Sequence, residues 1–172
     1  MSIRPVLTAP DPRLKAVSEE VARVDDELKK LVDDMLETMY AEDGIGLAAI
    51  QIGVPKRLLV MDLAQKEGRR EPAAFINPRI LWASDETITA QEGCLSVPDI
   101  WEDVERPARI TAEFLDRDGT SKTVEADGLL AMCLQHEMDH LNGVLFIDHL
   151  SKLKRSIALR KVQKAKRLEK AS

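Results

Sequence analysis

A histidine pair in the second half of the chain has the spacing of a metal site. The segment reads His136-Glu137-Met138-Asp139-His140. Helix residues i and i+4 project from one face, about 6 Å apart along the axis, so two such imidazoles can bind one divalent cation. A glutamate directly after the first histidine can act as general base towards a water on that cation. An ordinary amphipathic helix with two partly buried histidines would have the same sequence pattern. A third metal ligand is therefore needed to support the prediction of a metal site.

The known extensions of this pattern in metallopeptidases are missing. A catalytic site has a third protein ligand and one open position for water. The metzincin pattern places a histidine six residues after the second one, but position 146 is Phe. The thermolysin-like pattern needs an acid on a later helix, and Glu169, the only acid after Asp148, lies in a basic tail. A metallopeptidase that cuts internal peptide bonds is therefore disfavoured, because neither pattern finds its third metal ligand in this sequence.

The two cysteines are the remaining candidates. Cys133 is one helical turn before His136, about 7 Å short of the level where the metal would lie, so we expect it to line the pocket floor as a small apolar residue. Cys94 follows Gly93 in another segment and can approach the open side of the metal. A buried core thiol is the alternative for Cys94, but the histidine pair favours ligation. We therefore predict Cys94, His136 and His140 as metal ligands.

A glycine-containing segment, residues 44–51, reads GIGLAAIQ. Its formal G-x-G-x-x-A does not indicate a dinucleotide site, because that fingerprint follows a strand and opens a helix, whereas here a predicted helix precedes it. Most of the segment is expected to end that helix. Gln51 is the exception, since a neutral side-chain amide can donate a hydrogen bond to a developing oxyanion.

The hydrophobic pattern predicts the elements that position these residues. Helical spacing covers residues 25–41, and short apolar runs predict strands at 57–62, 74–76 and 87–89. Residues 110–114 and 122–125 flank Asp118-Gly119 and predict a hairpin. Asp127 can cap the histidine helix, Gly143 can end it, and a last basic helix covers about 150–170. This order predicts an α+β fold in which mixed or antiparallel sheets pack around a central metal-binding helix, between an N-terminal and a C-terminal helix.

Length and composition predict one cytoplasmic domain spanning residues 1–172. The chain has 44% hydrophobic and 32% charged residues and only two cysteines. No apolar run is long enough for a membrane span, and the first residues lack the apolar core of a secretory signal. Two cysteines make no disulfide scaffold, so a reducing compartment is expected.

The charge is unevenly distributed along the chain. Residues 152–172 carry nine Lys or Arg against Glu169 alone, a local charge of +8. Because the whole chain has a net charge of −5, residues 1–151 carry −13. A basic helix predicts an anionic partner, although a solvated helix end would have the same composition. A nucleic-acid-binding module with a structural metal is disfavoured, because only 3% of residues are aromatic and no fourth ligand is apparent.

Three ordered segments together resemble peptide deformylase. They are residues 44–51, Glu92-Gly93-Cys94-Leu95-Ser96, and Gln135 followed by the histidine segment up to Gly143. The resemblance implies removal of the N-formyl group from the initiator methionine of nascent polypeptides, with release of formate. It also implies that Cys94, His136 and His140 hold ferrous iron, replaceable by zinc, nickel or cobalt, whereas the ligand types alone would suit zinc.

The resemblance also suggests roles for the residues around the metal. Glu137 would act as base and acid, while Gln51 and the Leu95 N–H meet the oxyanion and Gly46 and Leu95 keep the site too tight for acetyl groups. An extended peptide would pair beside residues 44–47 and the strand near Glu92. The methionine pocket would be lined by Ile45, Leu129, Met132 and Cys133. Arg106 would pair with Glu92, unless it is a solvated surface residue.

The expected partners are N-formylmethionyl nascent peptides and, through the basic helix, the ribosome. Neither a membrane nor a specific nucleic-acid sequence is expected as a partner, and the chain is expected to be a monomer.

Overall fold

The first long helix, α1, spans Asp26–Ala41 in the computed structural model, which describes residues 2–171. Asp25 caps it by accepting a hydrogen bond from the Leu28 N–H at 2.9 Å. Asp26 and Glu27 in the first turn complement the positive end of the helix dipole. The face that α1 buries has the predicted helical spacing, and its apolar residues are Leu28, Leu31, Val32, Met35 and Met39. The predicted helix is confirmed.

Within residues 2–171, seven strands form two antiparallel sheets. They are β1 (Gly46–Ala48), β2 (Leu58–Met61), β3 (Ala73–Ala83), β4 (Thr87–Cys94), β5 (Val97–Pro107), β6 (Arg109–Leu115) and β7 (Ser121–Asp127). One sheet has the order β1-β2-β3-β6-β7, and β4 pairs only with β5. Both sheets are antiparallel throughout, and the predicted β6–β7 hairpin is confirmed.

The sequence patterns predicted β3 and β4 to be shorter than they are, and they did not predict β5. β5 turns Val97, Ile100, Val104 and Arg106 inward. A charged arginine at an inward position, together with the irregular spacing at its start, hides the alternation that predicts a strand. The start of β1 also differs from the expectation, since Gly46 opens a short strand instead of ending the preceding helix.

The second helix, α2, spans Gly128–Leu141 and lies between the two sheets. Its apolar face packs on the five-stranded sheet through Ala131, Leu134, Met138 and Leu141. Strand β2 is buried on both faces, with Leu59 and Met61 on the α2 side and Leu58 and Val60 on the α1 side. The predicted central position of the histidine helix is therefore confirmed.

The ends of α2 are set by different contacts. Asp127 lies at the N-cap position but its side chain makes no capping hydrogen bond. At the other end, the Arg57 guanidinium donates to the Leu141 carbonyl at 3.1 Å and to the Asn142 side chain at 3.1 Å. Gly143 then takes the left-handed conformation, with φ of 74°, that ends the helix as predicted.

The last helix, α3, spans Lys152–Ala171 and follows a short 3-10 turn at Phe146–His149. Ala158 and Val162 anchor it in an apolar cluster that includes Val97 and Phe146. Most of its basic side chains stay exposed. Among the helices within residues 2–171, none combines the length and apolar character needed to cross a membrane.

A pair of glycines with the same backbone conformation tests how tightly the end of α2 is packed. Gly143 and Gly68 both have φ of 74°, but a Cβ on Gly143 would lie 2.3 Å from the Lys15 carbonyl oxygen, whereas one on Gly68 would meet nothing within 4 Å. We expect Gly143→Ala to lower the free energy of unfolding by about 2–4 kcal/mol and Gly68→Ala by about 1 kcal/mol. Urea unfolding of both variants measures this difference, and equal losses would contradict the close contact.

Candidate metal centre

The structure brings the three predicted metal ligands together. The candidate ligand atoms of Cys94, His136 and His140 all lie within 4.8 Å of one another. Cys94 Sγ is 3.4 Å from His140 Nε2. A tetrahedral cation with sulfur at about 2.3 Å and nitrogen at about 2.0 Å would hold two such atoms about 3.5 Å apart. The spacing therefore fits one shared cation.

Two elements position the three candidate ligands. His136 and His140 lie one turn apart on α2, on the face turned away from its apolar contacts with the sheet. Cys94 is the last residue of β4, where the β4–β5 register shifts between Glu92 and the cysteine and the chain turns back at Val97. The β4–β5 hairpin thus carries the thiol across to the histidine helix.

Glu92 and Arg106 orient His136. The His136 Nδ1 is 2.8 Å from a Glu92 carboxylate oxygen, and because a carboxylate only accepts, Nδ1 donates and Nε2 is left to face the other ligands. Arg106 donates to both Glu92 oxygens, at 2.6 and 2.9 Å, and to Asp139 at 2.9 Å. The Arg106 side chain is only 5% exposed, so its pairing with Glu92 is confirmed and the solvated alternative is wrong.

Phe146 supports the same imidazole from its ring face. Its ring stacks on that of His136 with centroids 6.0 Å apart, and the phenylalanine is fully buried. The residue that excluded the metzincin pattern thus packs beside the candidate ligand His136.

The charges around the site favour a cation. Burial acts to raise the pKa of Glu92, but Arg106 and His136 lower it to about 2, so its carboxylate is ionised. Burial acts to lower the pKa of His136, but Cys94 and Glu92 raise it well above the usual value. Positive charge at this imidazole is therefore stabilised by its neighbours. A bound divalent cation would supply that charge, so the donor set and its surroundings fit the metal.

Glu137 lies beside the two imidazoles. One of its carboxylate oxygens is 3.9 Å from His136 Nε2 and 3.7 Å from His140 Nε2. Burial raises the pKa of Glu137 to about 7. Gly46 covers this carboxylate so closely that a Cβ at residue 46 would lie 2.6 Å from Glu137 Oε2. A larger residue at position 46 would displace the carboxylate.

Gln51 is fixed so that its amide nitrogen faces the thiol. Its side-chain oxygen accepts a hydrogen bond from the Ala48 N–H at 2.8 Å. Its nitrogen lies 3.5 Å from Cys94 Sγ and 3.0 Å from Ser96 Oγ. The side chain is therefore a buried donor next to the candidate ligands, as the sequence suggested.

A cavity of about 560 Å³ opens beside these groups. Every residue predicted to bind substrate lines it, namely Gly44, Ile45, Glu92, Leu129, Met132 and Cys133, together with Gly46, Gln51 and Leu95. Cys133 is not among the grouped ligand atoms, and burial raises its pKa to about 12, so its thiol stays protonated. This agrees with the expected apolar pocket floor.

The sequence analysis gave no role to several residues at the cavity rim. Glu42, Asp43, Asp99 and Trp101 also line it. Trp101 lies in β5, the strand that the sequence patterns missed. A tryptophan with acidic residues within two positions on either side was the available signal.

Comparison with known proteins identifies the family. The family model described as polypeptide deformylase matches residues 3–156. The chain belongs to this family. A peptide deformylase of Phenylobacterium zucineum is 60% identical over 164 residues, which cover 95% of this chain and 97% of that protein. One of Agrobacterium fabrum is 58% identical over 167 residues, covering 97% of this chain and 98% of that protein.

A solved structure of the family has the same fold. The crystal structure of peptide deformylase from Ehrlichia chaffeensis in complex with actinonin is similar with a TM-score of 0.93 and 49% identity, covering 97% of this chain and 99% of that one. Polypeptide deformylases are metal-dependent hydrolases that remove the N-formyl group from nascent polypeptides, and this chain is an enzyme of that kind. The α+β fold prediction is also confirmed.

The Glu92 contact yields a prediction about metal affinity. Glu92→Ala removes the acceptor that orients His136 and leaves Arg106 with Asp139 alone, so we expect about 10- to 100-fold weaker metal binding. The carboxylate of its cross-strand neighbour Glu102 pairs with Lys154 at 3.7 Å and is not in the candidate ligand group, so Glu102→Ala should bind metal as the wild type does. Competition with a chromophoric chelator measures both affinities. Equal affinities would mean that Glu92 does not support the ligand.

Proposed function

We propose that Cys94, His136 and His140 hold the catalytic metal of this deformylase and that Glu137 carries the proton during hydrolysis of the formyl group. One observation carries the proposal: the buried Glu137 carboxylate lies within 4 Å of both imidazole Nε2 atoms and borders the cavity. Among the carboxylates of residues 2–171 that line this cavity, Glu137 alone lies within 4 Å of both imidazoles.

The metal is proposed to be ferrous iron. A divalent cation bound here would polarise the formyl carbonyl and lower the pKa of a water ligand. The donor set of one thiolate and two imidazoles also suits zinc, nickel or cobalt, so the preference for iron rests on the family resemblance. Metal analysis after anaerobic purification, with activity measured on the same sample, distinguishes these ions.

Glu137 would serve first as base and then as acid. Its carboxylate accepts a proton from the attacking water and passes it to the departing amine, so one group serves both half-reactions. Its buried position beside Gly46 keeps the carboxylate in one place between the two transfers. The products are formate and a free amino terminus.

Two donors of the chain are placed to stabilise the oxyanion. The Gln51 amide nitrogen is held beside the thiol by Ala48 and Ser96, and the Leu95 N–H belongs to the turn that follows Cys94. Loss of one such donor typically lowers the rate by about 10²–10³.

The part of the cavity wall formed by Gly46 and Leu95 would select for formyl over acetyl groups. Gly46 already touches the Glu137 carboxylate, and Leu95 contacts the Gly44 region, where a Cβ would lie 2.8 Å from Leu95 Cδ1. An acetyl methyl has little room between these groups. Ile45, Leu129, Met132 and Cys133 would line the flexible apolar pocket for the methionine side chain.

Edge strands support an extended peptide in the cavity. β1 is an outer strand of its sheet and β4 pairs only with β5, so each has one edge open within the described residues. Both edges contribute residues to the cavity wall, around Gly46 and Glu92. Main-chain pairing with these edges would align the formyl group without reading the peptide sequence.

The Glu137 role is tested with a formylated tripeptide. We expect Glu137→Gln to keep its metal but to release formate from formyl-Met-Ala-Ser about 10²–10⁴ times more slowly, because an amide cannot accept the proton. His149→Ala is a control, since His149 contacts Asp139 and is absent from the candidate ligand group. Full activity in Glu137→Gln would remove this residue as the base.

The same assay separates the proposed reaction from cleavage of internal peptide bonds. Mass analysis of the products should show loss of the formyl group without fragments. Fragmentation of the peptide would favour an endopeptidase.

We also propose that the chain works in the cytoplasm as a monomer and contacts the ribosome through α3. The substrates are nascent peptides, and both cysteines are free, which suits a reducing compartment. The outward side of α3 carries Arg160, Lys164 and Arg167, which face away from the buried Ala158 and Val162. Such a basic stripe suits the phosphate backbone of ribosomal RNA.

The ribosome contact is tested by charge substitution, because truncation would also remove the buried Ala158 and Val162. We expect Lys164→Glu/Arg167→Glu to reduce co-sedimentation with ribosomes several-fold at low salt, with unchanged formate release from tripeptides. Lys122→Glu, which changes one basic residue on β7, is the control. Co-sedimentation equal to that of the wild type would rule out this face of α3.

A further inference from the structure

We propose that Gln65 is a positioning residue for this deformylase. Its side-chain amide holds the Gly44–Ile45 peptide group in the orientation that turns the Ile45 N–H towards the cavity, where that N–H can donate to the substrate. The inference rests on the proposed deformylase site, because the same cavity would hold the peptide. It assigns a role to a residue outside the cavity wall, on the 3-10 turn at Ala64–Glu67 that follows β2.

The ladder between β1 and β2 ends with an incomplete pair. Gly46 pairs with Met61, so Ile45 and Asp62 are next in register. Opposite residues at a hydrogen-bonded position of an antiparallel ladder exchange two hydrogen bonds. Here the Asp62 N–H donates to the Ile45 carbonyl at 2.9 Å, but the hydrogen bonds found among residues 2–171 include none from the Ile45 N–H. One of the two ladder bonds is therefore missing.

The Gln65 amide takes the place of the missing bond. Its Nε2 donates to the Asp62 carbonyl at 3.0 Å and to the Gly44 carbonyl at 3.1 Å. The shared donor places the Gly44 oxygen on the Asp62 side. Because the C=O and N–H of a trans peptide point in opposite directions, the Ile45 N–H faces away from β2, towards the open edge of β1.

That open edge borders the cavity. Gly44, Ile45 and Gly46 all line it, whereas Gln65 does not, so Gln65 acts on the peptide group from behind the wall. A carbonyl that accepts a hydrogen bond also polarises its own peptide, which strengthens the N–H as a donor. The Ile45 N–H is thus both oriented and available for an acceptor in the cavity.

The end of α1 fixes the chain just before this peptide group. Asp43 has a φ of 57°, in the left-handed region that aspartate tolerates, and its N–H donates to the Tyr40 carbonyl at 3.1 Å. The Gly44 N–H donates to the Met39 carbonyl at 2.9 Å, which completes a Schellman motif. Both polar groups of the Gly44 backbone are therefore engaged, one by α1 and the other by Gln65.

The Asp62 side chain fixes the turn that carries Gln65. This carboxylate is fully buried and accepts three hydrogen bonds, from the Tyr40 hydroxyl at 2.5 Å, the Ala64 N–H at 3.1 Å and the Glu71 N–H at 3.0 Å. Since Gln65 directly follows Ala64, the start of the turn is fixed where the amide can reach back to Gly44. The position of Gln65 is thus set by the buried end of β2.

The place of Ile45 along the wall selects the substrate group that its N–H meets. Gly46 lies against the Glu137 carboxylate, where the formyl group would react, and Ile45 is the next residue along. An extended chain advances about 3.3 Å per residue. The acceptor is therefore the first carbonyl beyond the formyl group, which belongs to the methionine residue itself.

The experiment compares two substrates that differ in this carbonyl. Formyl-methionine amide has it, whereas N-formyl-3-(methylthio)propylamine has the same formamide and thioether without the carboxamide. Gln65→Met removes the donor and keeps a side chain of similar length. We expect it to lower kcat/KM for formate release from formyl-methionine amide about 3- to 10-fold, mainly through KM, and to leave the value for the second substrate unchanged.

A residue on the same turn provides the matched control. Glu67 is exposed and its carboxylate pairs with Arg69 at the surface. Glu67→Met introduces the same side chain two residues away and should leave both substrates at wild-type values. An equal loss for both substrates in Gln65→Met would show a general disturbance of the site, and no loss for either would show that the substrate does not depend on Gln65. Either result overturns the proposal.

A measurement without turnover separates this inference from the deformylase assignment. In the zinc-loaded protein, the Ile45 amide proton resonance should move downfield when the unformylated product Met-Ala-Ser is added, because the N–H gains an acceptor. In Gln65→Met this shift should be at least halved. If no peptide yields formate but the shift depends on Gln65, the deformylase mechanism fails and the positioning role stands. If formate is released and the Ile45 resonance does not respond, or responds equally in Gln65→Met, the role of Gln65 is refuted.

Discussion

A buried carboxylate between two nitrogen donors fixes the geometry of the candidate metal centre. Glu92 joins the β4–β5 hairpin to α2 through His136 and is itself held by Arg106, which also reaches Asp139 on α2. A buried ion pair contributes little net stability compared with an apolar pair, because both charges lose their hydration. Its effect here is geometric: the hairpin can dock on the helix only where all the charges are paired. That docking position is also the one that brings Cys94 to His140.

One side of α2 packs on the sheet and stabilises the fold, and the other side carries the candidate functional groups. Ala131, Leu134 and Leu141 are completely buried against the five-stranded sheet, so the helix is fixed by packing on one side. The other side carries the imidazoles and the Glu137 carboxylate, which the hairpin and β1 shield from water. A site mounted on a packed helix keeps its side chains within the narrow tolerances that metal binding and proton transfer require. The same exclusion of water raises the pKa of Glu137.

Close backbone approach shapes the cavity as much as the side chains do. Gly46 lies against Glu137, and Gly93 lies under the ring of Trp101. At both positions the missing side chain lets another group occupy its space, a carboxylate in one case and an indole in the other. Gly46 thereby keeps the Glu137 carboxylate at the cavity wall, while Glu42, Asp43 and Asp99 add exposed carboxylates to the same wall. These features suit a substrate with a fixed first residue and a variable continuation.

The sequence alone determined the histidine spacing, the elimination of Phe146 and Glu169 as ligands, α1, α2 and the β6–β7 hairpin, because these depend on local periodicity and residue type. It also selected Cys94 over Cys133, since a rigid helix fixes how far a short side chain can reach. Only the tertiary structure decided the rest. Strand β5, the burial of Arg106 and the place of Trp101 on Gly93 follow from the pairing of the hairpin and its docking on α2. Residues far apart in the chain meet through such contacts, and the alternation of polar and apolar residues within one segment does not encode them.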